Sequence, residues 1–309
     1  MALPQISKNR RFLSKLATFW IPVKSYRQTA RCILLMGPVK WWRIIRKEAD
    51  FVAPHKLAIG AIMKNEGSYL KEWLDYHMLV GVEKFYLYDN DSTDDTKQVL
   101  APYIDKGIVE YTHIPGKKRQ MDAYRDILAR HSYDTKWLAL VDLDEFLVPV
   151  KHDTLVQYLE TLPRNFWCVV MSWVAYGSSG HKTRPDGLVI ENYKWRAEKQ
   201  WGVKSIINPR LAVEITNPHV NIAAGFMYDE NGKRLGRINQ TERPPTYNLI
   251  RCNHYFTKSY QEYCARHMLG PACSNALFDK FRHPDNFDSV DRNDVFDDIM
   301  TKYVQRLKK

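Results

Sequence analysis

Apolar residues fall into two rhythms along this chain. From residue 57, short uninterrupted apolar runs alternate with stretches in which apolar positions recur every three or four residues. The runs 57–63, 84–88, 108–111 and 137–141 read as strands buried on both faces. Between them, 68–80 sets Leu70, Trp73, Leu74, His77 and Val80 on one side of a helix that Gly81 stops. Thr93-Asp94-Asp95 caps a second helix running to about 104, ended near Gly107, and 121–130 reads as a third. Strand and helix in strict alternation predict a parallel sheet with crossover helices. After residue 150 the order loosens. A strand is expected over 166–175, then the loop Gly177-Ser178-Ser179-Gly180-His181 and a mixed segment 186–196. A strand within 204–215, a hairpin and loop over 225–247, a strand over 249–256 and a helix over 259–269 follow. An acidic helical tail begins near 279. No internal repeat is present.

Residues 8–50 differ. Phe12, Leu16, Phe19 and Trp20 recur at helical spacing among Arg and Lys, and Pro22 breaks the segment. Ile33, Leu34, Leu35 and Met36 end at Gly37-Pro38, and Trp41, Trp42, Ile44 and Ile45 interleave with Lys40, Arg43, Arg46 and Lys47. These read as basic amphipathic helices. Tryptophan beside Lys and Arg suits a lipid headgroup region, so association with an anionic membrane surface is expected. The alternative is that the helices pack on the rest of the protein with a basic side outward.

The charge sharpens this. The chain of 309 residues carries +11, but residues 1–56 hold twelve Lys and Arg against Glu48 and Asp50, a net of +10. The remainder is near neutral. No nucleic-acid-binding module accompanies the basic run, so nucleic acid is not an expected partner. Five cysteines without a C-x-x-C pair fit a reducing compartment. No apolar stretch is long enough to span a bilayer, and the N-terminus lacks a signal-peptide pattern, so a cytoplasmic location is expected. The expected organisation is a basic helical segment over 1–56, a catalytic domain over 57–275 divided at 150, and a tail over 276–309.

In a parallel sheet the ligand lies beyond the carboxyl ends of the strands. That rule places Lys64-Asn65-Glu66, Asp89-Asn90-Asp91 and Asp142-Leu143-Asp144 on one rim. If the chain stays extended past the apolar run, Asp142 and Asp144 leave the same face. Two acids there repel and resist burial unless a cation neutralises them. An oxygen-seeking divalent cation, Mg²⁺ or Mn²⁺, would do so and would also grip a diphosphate. Taken singly, Asn65 and Asn90 are ordinary turn residues and Asp94 is a helix cap. A P-loop is excluded by the absence of G-x-x-x-x-G-K-[ST], and a dinucleotide fold by the absence of G-x-G-x-x-G after the first strand.

The ordered set of motifs is more specific than any one of them. Lys64-Asn65-Glu66, Tyr69-Leu70-x-Glu72-Trp73-x-x-Tyr76-His77, Phe85-Tyr86-Leu87-Tyr88-Asp89-Asn90-x-Ser92-x-Asp94, Gln120 and Trp137 to Phe146 come first. Tyr176 to His181, Lys204-Ser205-Ile206-Ile207-x-Pro209 and Asn253-His254-Tyr255-x-x-Lys258-Ser259 follow. Together, over about 57–270, they resemble the GT-A glycosyltransferases of family 92 and the family 2-like group. The resemblance implies an α/β fold of GT-A type, with a mostly parallel central sheet and flanking helices. It implies inverting transfer of a sugar, galactose as the family's guess, from a UDP-sugar to a saccharide or lipid-linked glycan. A role in bacterial lipopolysaccharide or capsule synthesis, at the inner face of the inner membrane, is the expectation.

On that resemblance Asp142 and Asp144 hold Mn²⁺ or Mg²⁺, and a histidine from the second half, His219 or His254, is a further ligand. Lys64, Asn65, Glu66, Asp89, Asn90, Gln120 and Arg125 are candidate nucleotide contacts, and Lys204 and Lys258 candidate diphosphate contacts. Inversion needs a carboxylate to take the acceptor proton. Glu191, at the end of an apolar run whose burial would raise its pKa, and Asp186 are the candidates. Glu145 is expected to support the acids rather than bind the metal. Trp173, Tyr176 and Trp195 are candidates for stacking on sugar rings. A sugar nucleotidyltransferase, or a non-catalytic membrane- or polyanion-binding protein on this scaffold, are the competing readings.

Overall fold

The computed structural model describes residues 6–163, 166–200, 202–215, 221–235, 246–268 and 283–309. Three helices open it: α1 (Lys8–Thr18), α2 (Lys24–Met36) and α3 (Pro38–Lys47). Strand and helix then alternate as β1 (His55–Met63), α4 (Gly67–Leu79), β2 (Lys84–Asp89), α5 (Thr96–Asp105), β3 (Val109–His113), α6 (Gln120–His131) and β4 (Thr135–Leu140). Next come β5 (Glu145–Pro149), α7 (Leu155–Thr161), β6 (Cys168–Ala175), α8 (Val189–Asn192), β7 (Trp195–Arg196) and β8 (Val203–Ile207). They are followed by β9 (Ala212–Ile215), β10 (Asn221–Ala223), β11 (Met227–Asp229), β12 (Arg234–Leu235), β13 (Ile250–His254) and α9 (Tyr260–Met268). The last residues add β14 (Val295–Phe296) and a helix, Thr301–Leu307.

The main sheet runs β12-β11-β6-β8-β4-β1-β2-β3. The β3, β2, β1 and β4 quarter is wholly parallel, while β8 lies antiparallel between β4 and β6. Alternate side chains divide the sheet's two faces cleanly. Leu57, Ile59, Ala61, Phe85, Leu87, Trp137, Ala139 and Val141 join one core with Leu70, Trp73 and Leu74 of α4. Ala58, Tyr86, Tyr88, Leu138 and Leu140 join the other with Ala123, Tyr124, Ile127 and Leu128 of α6. Burial on both faces is why these runs read as continuously apolar. Gly60 sits between the faces, and a Cβ there would come within 2.7 Å of Leu140 Cδ2 and 2.8 Å of Ile127 Cδ1. A side chain at this position would require the ends of Leu140 and Ile127 to give way.

Strand β5 and helix α7 were not expected. Strand β5 follows the acidic motif directly and pairs antiparallel with β13. The tail is not peripheral: Met300, Tyr303 and Val304 are buried in the α4-side core. It is tied there by Asp297, which takes hydrogen bonds from Arg196 Nε (2.7 Å) and from Arg251 Nη1 and Nη2 (2.9 Å each).

The N-terminal helices pack on the α6 side, where Met36, Trp41, Ile44 and Ile45 border the second core and Trp41 Nε1 donates to the Ala224 carbonyl. Helix α1 is laid down the opposite way from a surface helix. It buries Ser14 and Thr18, while α2 buries Ser25, Thr29 and Cys32, with Thr29 Oγ1 donating to the Gly225 carbonyl at 3.2 Å. Phe12, Leu13, Leu16, Phe19 and Trp20 point to solvent, the last two 70% exposed.

Candidate functional site

The Asp142–Asp144 motif lies where β4, β1 and β2 end, but not in extended chain. Strand β4 stops at Leu140, and a turn closes when Glu145 N–H donates to the Asp142 carbonyl at 3.1 Å. The period-two argument for two acids on one face therefore does not apply. The turn sends the carboxylates to different neighbours instead.

Asp142 faces α6 and β8. Its Oδ1 accepts from Gln120 Nε2 (2.8 Å) and Tyr124 OH (3.2 Å), and its Oδ2 lies 3.2 Å from Lys204 Nζ. It is the open acid of the pair, with its side chain 29% exposed. Lys204 is fully buried and also contacts Glu145 Oε2 at 3.1 Å. Glu145 in turn accepts the Asp142 backbone N–H at 2.9 Å. Burial pushes the Glu145 carboxyl up to about 7, against the pull of Lys204. Burial opposes the charge on Lys204, but Asp142 and Glu145 hold its pKa well above the ordinary value.

Asp144 is buried and faces β13 and α9. Its Oδ2 lies 3.2 Å from His254 Nε2 and accepts from Arg266 Nη1 at 2.6 Å. Burial would raise its pKa, but Arg266 and His254 hold it well below the usual carboxylate range. The second oxygen, Oδ1, is buried with no hydrogen-bond partner among the described residues. Behind Arg266, Glu66 Oε1 stands 3.9 Å from the guanidinium, and burial raises the Glu66 pKa. Lys258 Nζ rests 3.4 Å from the Tyr69 ring centre, and burial lowers its pKa.

A buried carboxylate oxygen without a donor is what a cation would satisfy, and two acids beside an imidazole suit Mn²⁺ or Mg²⁺. Among the described residues no group of three His, Cys, Asp or Glu side chains is placed to hold a metal ion. A partial set fits a cation that takes its remaining ligands from water and phosphate. Asp142 on one side, and Asp144 with His254 beside it on the other, are the residues such a set would draw on. His219 lies outside the described residues.

The other rim residues are largely engaged with one another. Asn65, in the left-handed region at φ 55°, accepts from Thr93 N–H through its side chain and donates its own N–H to Ser92. Asp89 accepts from Ser92 N–H (2.9 Å) and Tyr111 OH (2.7 Å), and Asn90 donates to the carbonyls of Ile114 and Gly116. These contacts shape the rim loops. Gln120, expected at a base edge, is turned to Asp142. Arg125 sits beside Asp122 on α6, and Lys64 is half-buried at the end of β1.

Glu191 is not in the buried setting expected of it. Its Oε1 accepts from Lys308 Nζ at 2.7 Å, and that lysine lowers its pKa instead of burial raising it. Asp186 is exposed, three residues before α8. Helix α8 lies one layer out from the acids. Glu72 of α4 accepts the Val189 and Ile190 N–H groups, and Glu262 of α9 accepts from Tyr69 and Tyr193 at 2.5 Å each. Of the aromatic candidates, Trp173 and Tyr176 are buried, Trp173 against His254 and Tyr176 stacked on Tyr255. Trp195 is exposed and packs edge-on against Phe296. Sequence reasoning missed Arg266 and Tyr124. Tyr124 lies one turn after Gln120 on the same face of α6 and was within reach of a helical-spacing argument, whereas Arg266 meets Asp144 from 122 residues away.

Comparison with known proteins agrees with this geometry. A model of glycosyltransferase family 92 matches residues 62–305. A family 92 protein of Ricinus communis is 30% identical over 193 residues, covering 60% of this chain and 35% of the relative. One from Arabidopsis thaliana is 27% identical over 223 residues, covering 69% and 37%. A galactan beta-1,4-galactosyltransferase of Arabidopsis thaliana is 34% identical over 105 residues, covering 30% and 20%. The chain spans about a third of the length of the curated family 92 relatives it matches.

Proposed function

The chain belongs to glycosyltransferase family 92, and from that premise we propose that it transfers a sugar from a nucleotide-diphosphate donor to a saccharide hydroxyl at the Asp142–Asp144 rim. The observation that carries this is the open Asp142 and the unsatisfied Asp144 Oδ1 at the carboxyl ends of a parallel, GT-A-type sheet. Asp142, Asp144 and His254 would hold Mn²⁺ or Mg²⁺, whose charge there offsets that developing on the leaving diphosphate. Lys204 and Glu145 fix the Asp142 side of the turn, and Gln120 and Tyr124 orient its carboxylate. Lys258 and Arg266 supply positive charge beside the donor. On the acceptor side we propose Glu191 or Asp186 as base. The Lys308 ion pair lowers the Glu191 pKa and would have to open for Glu191 to take a proton.

The finer reading is a UDP-galactose donor and a surface-glycan acceptor, saccharide or lipid-linked, in bacterial lipopolysaccharide or capsule synthesis. The galactosyltransferase name of an Arabidopsis relative supports the sugar. Outward-facing Phe12, Leu16, Phe19 and Trp20 among basic residues support attachment of residues 8–50 to an anionic membrane, at the cytoplasmic face of the inner membrane in this reading. No helix among the described residues is long and apolar enough to cross a membrane.

A screen of nucleotide sugars for release of the nucleoside diphosphate, with and without Mn²⁺, tests the reaction. Asp142→Ala should abolish release while remaining folded, and undiminished turnover in EDTA would sink the cation. Release of pyrophosphate would instead favour a nucleotidyltransferase. Co-sedimentation with phosphatidylglycerol vesicles tests attachment. Replacing Phe12, Phe19 and Trp20 by serine should remove it without moving the thermal midpoint.

A further inference from the structure

Arg266 holds an unusual place in the cluster. Among the described residues it is the one guanidinium on the buried acid of the motif, and α9 delivers it from 122 residues further along the chain. Four carboxylates gather here: Glu66, Asp142, Asp144 and Glu145. Three cationic side chains face them: Lys204, Lys258 and Arg266, with the imidazole of His254 beside Asp144. Lys204 is committed to Asp142 and Glu145, and Arg266 to Asp144 with Glu66 behind it. The cluster is thus close to neutral as it stands.

Two positive charges arriving alone would overshoot that balance. They would also have to share Asp144 with a guanidinium whose other acceptors among the described residues are the Phe256 carbonyl, at 3.5 Å, and Glu66, at 3.9 Å. A diphosphate arriving with the cation changes both terms. It restores the charge balance and offers the planar guanidinium two phosphate oxygens to bind in bidentate fashion. We infer that Arg266 is the resident counter-ion of Asp144, which a divalent cation and a nucleotide diphosphate displace together, so that each binds well only with the other.

The inference rests on the reading that the cation is held at Asp142 and Asp144. It makes Arg266 a positioning residue, and its role is a coupling between two ligands, reciprocal by linkage. The diphosphate touching the cation contributes its own part of that coupling. Arg266 contributes the part that its removal abolishes.

The test titrates Mn²⁺ into the full chain, following free Mn²⁺ by electron paramagnetic resonance, with and without saturating UDP. In the parent, UDP should tighten Mn²⁺ strongly. Arg266→Gln should bind Mn²⁺ without UDP about tenfold more tightly, and the tightening by UDP should shrink by about the same factor, a coupling of ordinary size. Arg266→Lys keeps the charge but loses the fork, and should fall between. It also guards against a Gln variant that does not fold. Mn²⁺ binding in which parent and both variants show the same tightening by UDP overturns the role of Arg266 and leaves the cation reading standing. Absence of Mn²⁺ binding in the parent even with UDP overturns both.

Discussion

Lys204 shows how one residue can carry both stability and chemistry. It is fully buried between Asp142 and Glu145, whose charges offset the cost of a buried ammonium. Replacing it by glutamine should cost about 3–5 kcal/mol, because two carboxylates lose their counter-charge. Urea unfolding at pH 7 measures this. A loss below about 1 kcal/mol would show that the acids find another partner. His77 is the converse case, a buried histidine kept neutral. Nδ1–H donates to the Trp73 carbonyl at 2.8 Å, and Nε2 accepts the Leu147 N–H at 3.2 Å. Burial lowers its pKa to about 3. An unfolded chain binds that proton near 6.5, so between the two values the unfolded state holds more protons. Stability should therefore fall as the pH drops from about 6.5 towards 3. Urea midpoints at pH 7, 5 and 4 should decline in that order, and His77→Gln should flatten the slope.

At the scale of elements, the strands were legible because parallel strands buried on both faces leave continuous apolar runs. The helices were legible from their period and stops. What the pattern does not carry is orientation. The spacing in α1 says which side is apolar but not which side meets the protein, and here Ser14 and Thr18 turn inward. It also does not reveal where a strand ends in a turn: the shift at Leu140 replaced a shared face for Asp142 and Asp144 with two separate environments. Helix α9 belongs to the same class, since no local signal announces that Arg266 will reach Asp144. One prediction belongs to the β7–β14 edge, where Trp195 and Phe296 stand exposed together. If that edge receives the acceptor, Trp195→Ala should raise acceptor KM about three- to tenfold and leave kcat nearly unchanged. An equal loss in kcat and kcat/KM would place Trp195 in the transition state instead.

The whole molecule is closed by its tail. Asp297 of the tail joins Arg196 of β7 and Arg251 of β13. Burial opposes its charge, but those arginines hold its pKa at about 2. A depressed carboxyl stabilises the fold above its unfolded value, so this contribution should fade only as the pH falls from about 4 towards 2. Asp297→Asn leaves two guanidiniums short of charge and should cost about 3 kcal/mol at pH 7. The difference between parent and variant should vanish near pH 2. A difference that persists there would mean that the amide's geometry, not the lost charge, is responsible.

Gly60 acts across a longer distance than its size suggests. A methyl group there meets Leu140 on one side and Ile127 of α6 on the other. Where those side-chain ends do not rotate away, α6 would lift, and with it the start of the helix, where Gln120 and Tyr124 hold Asp142. The middle of the sheet would in that case act as a spacer that sets the aim of an acid at its rim. A substitution far from any ligand would then read out as a misdirected carboxylate before it read out as an unfolded protein.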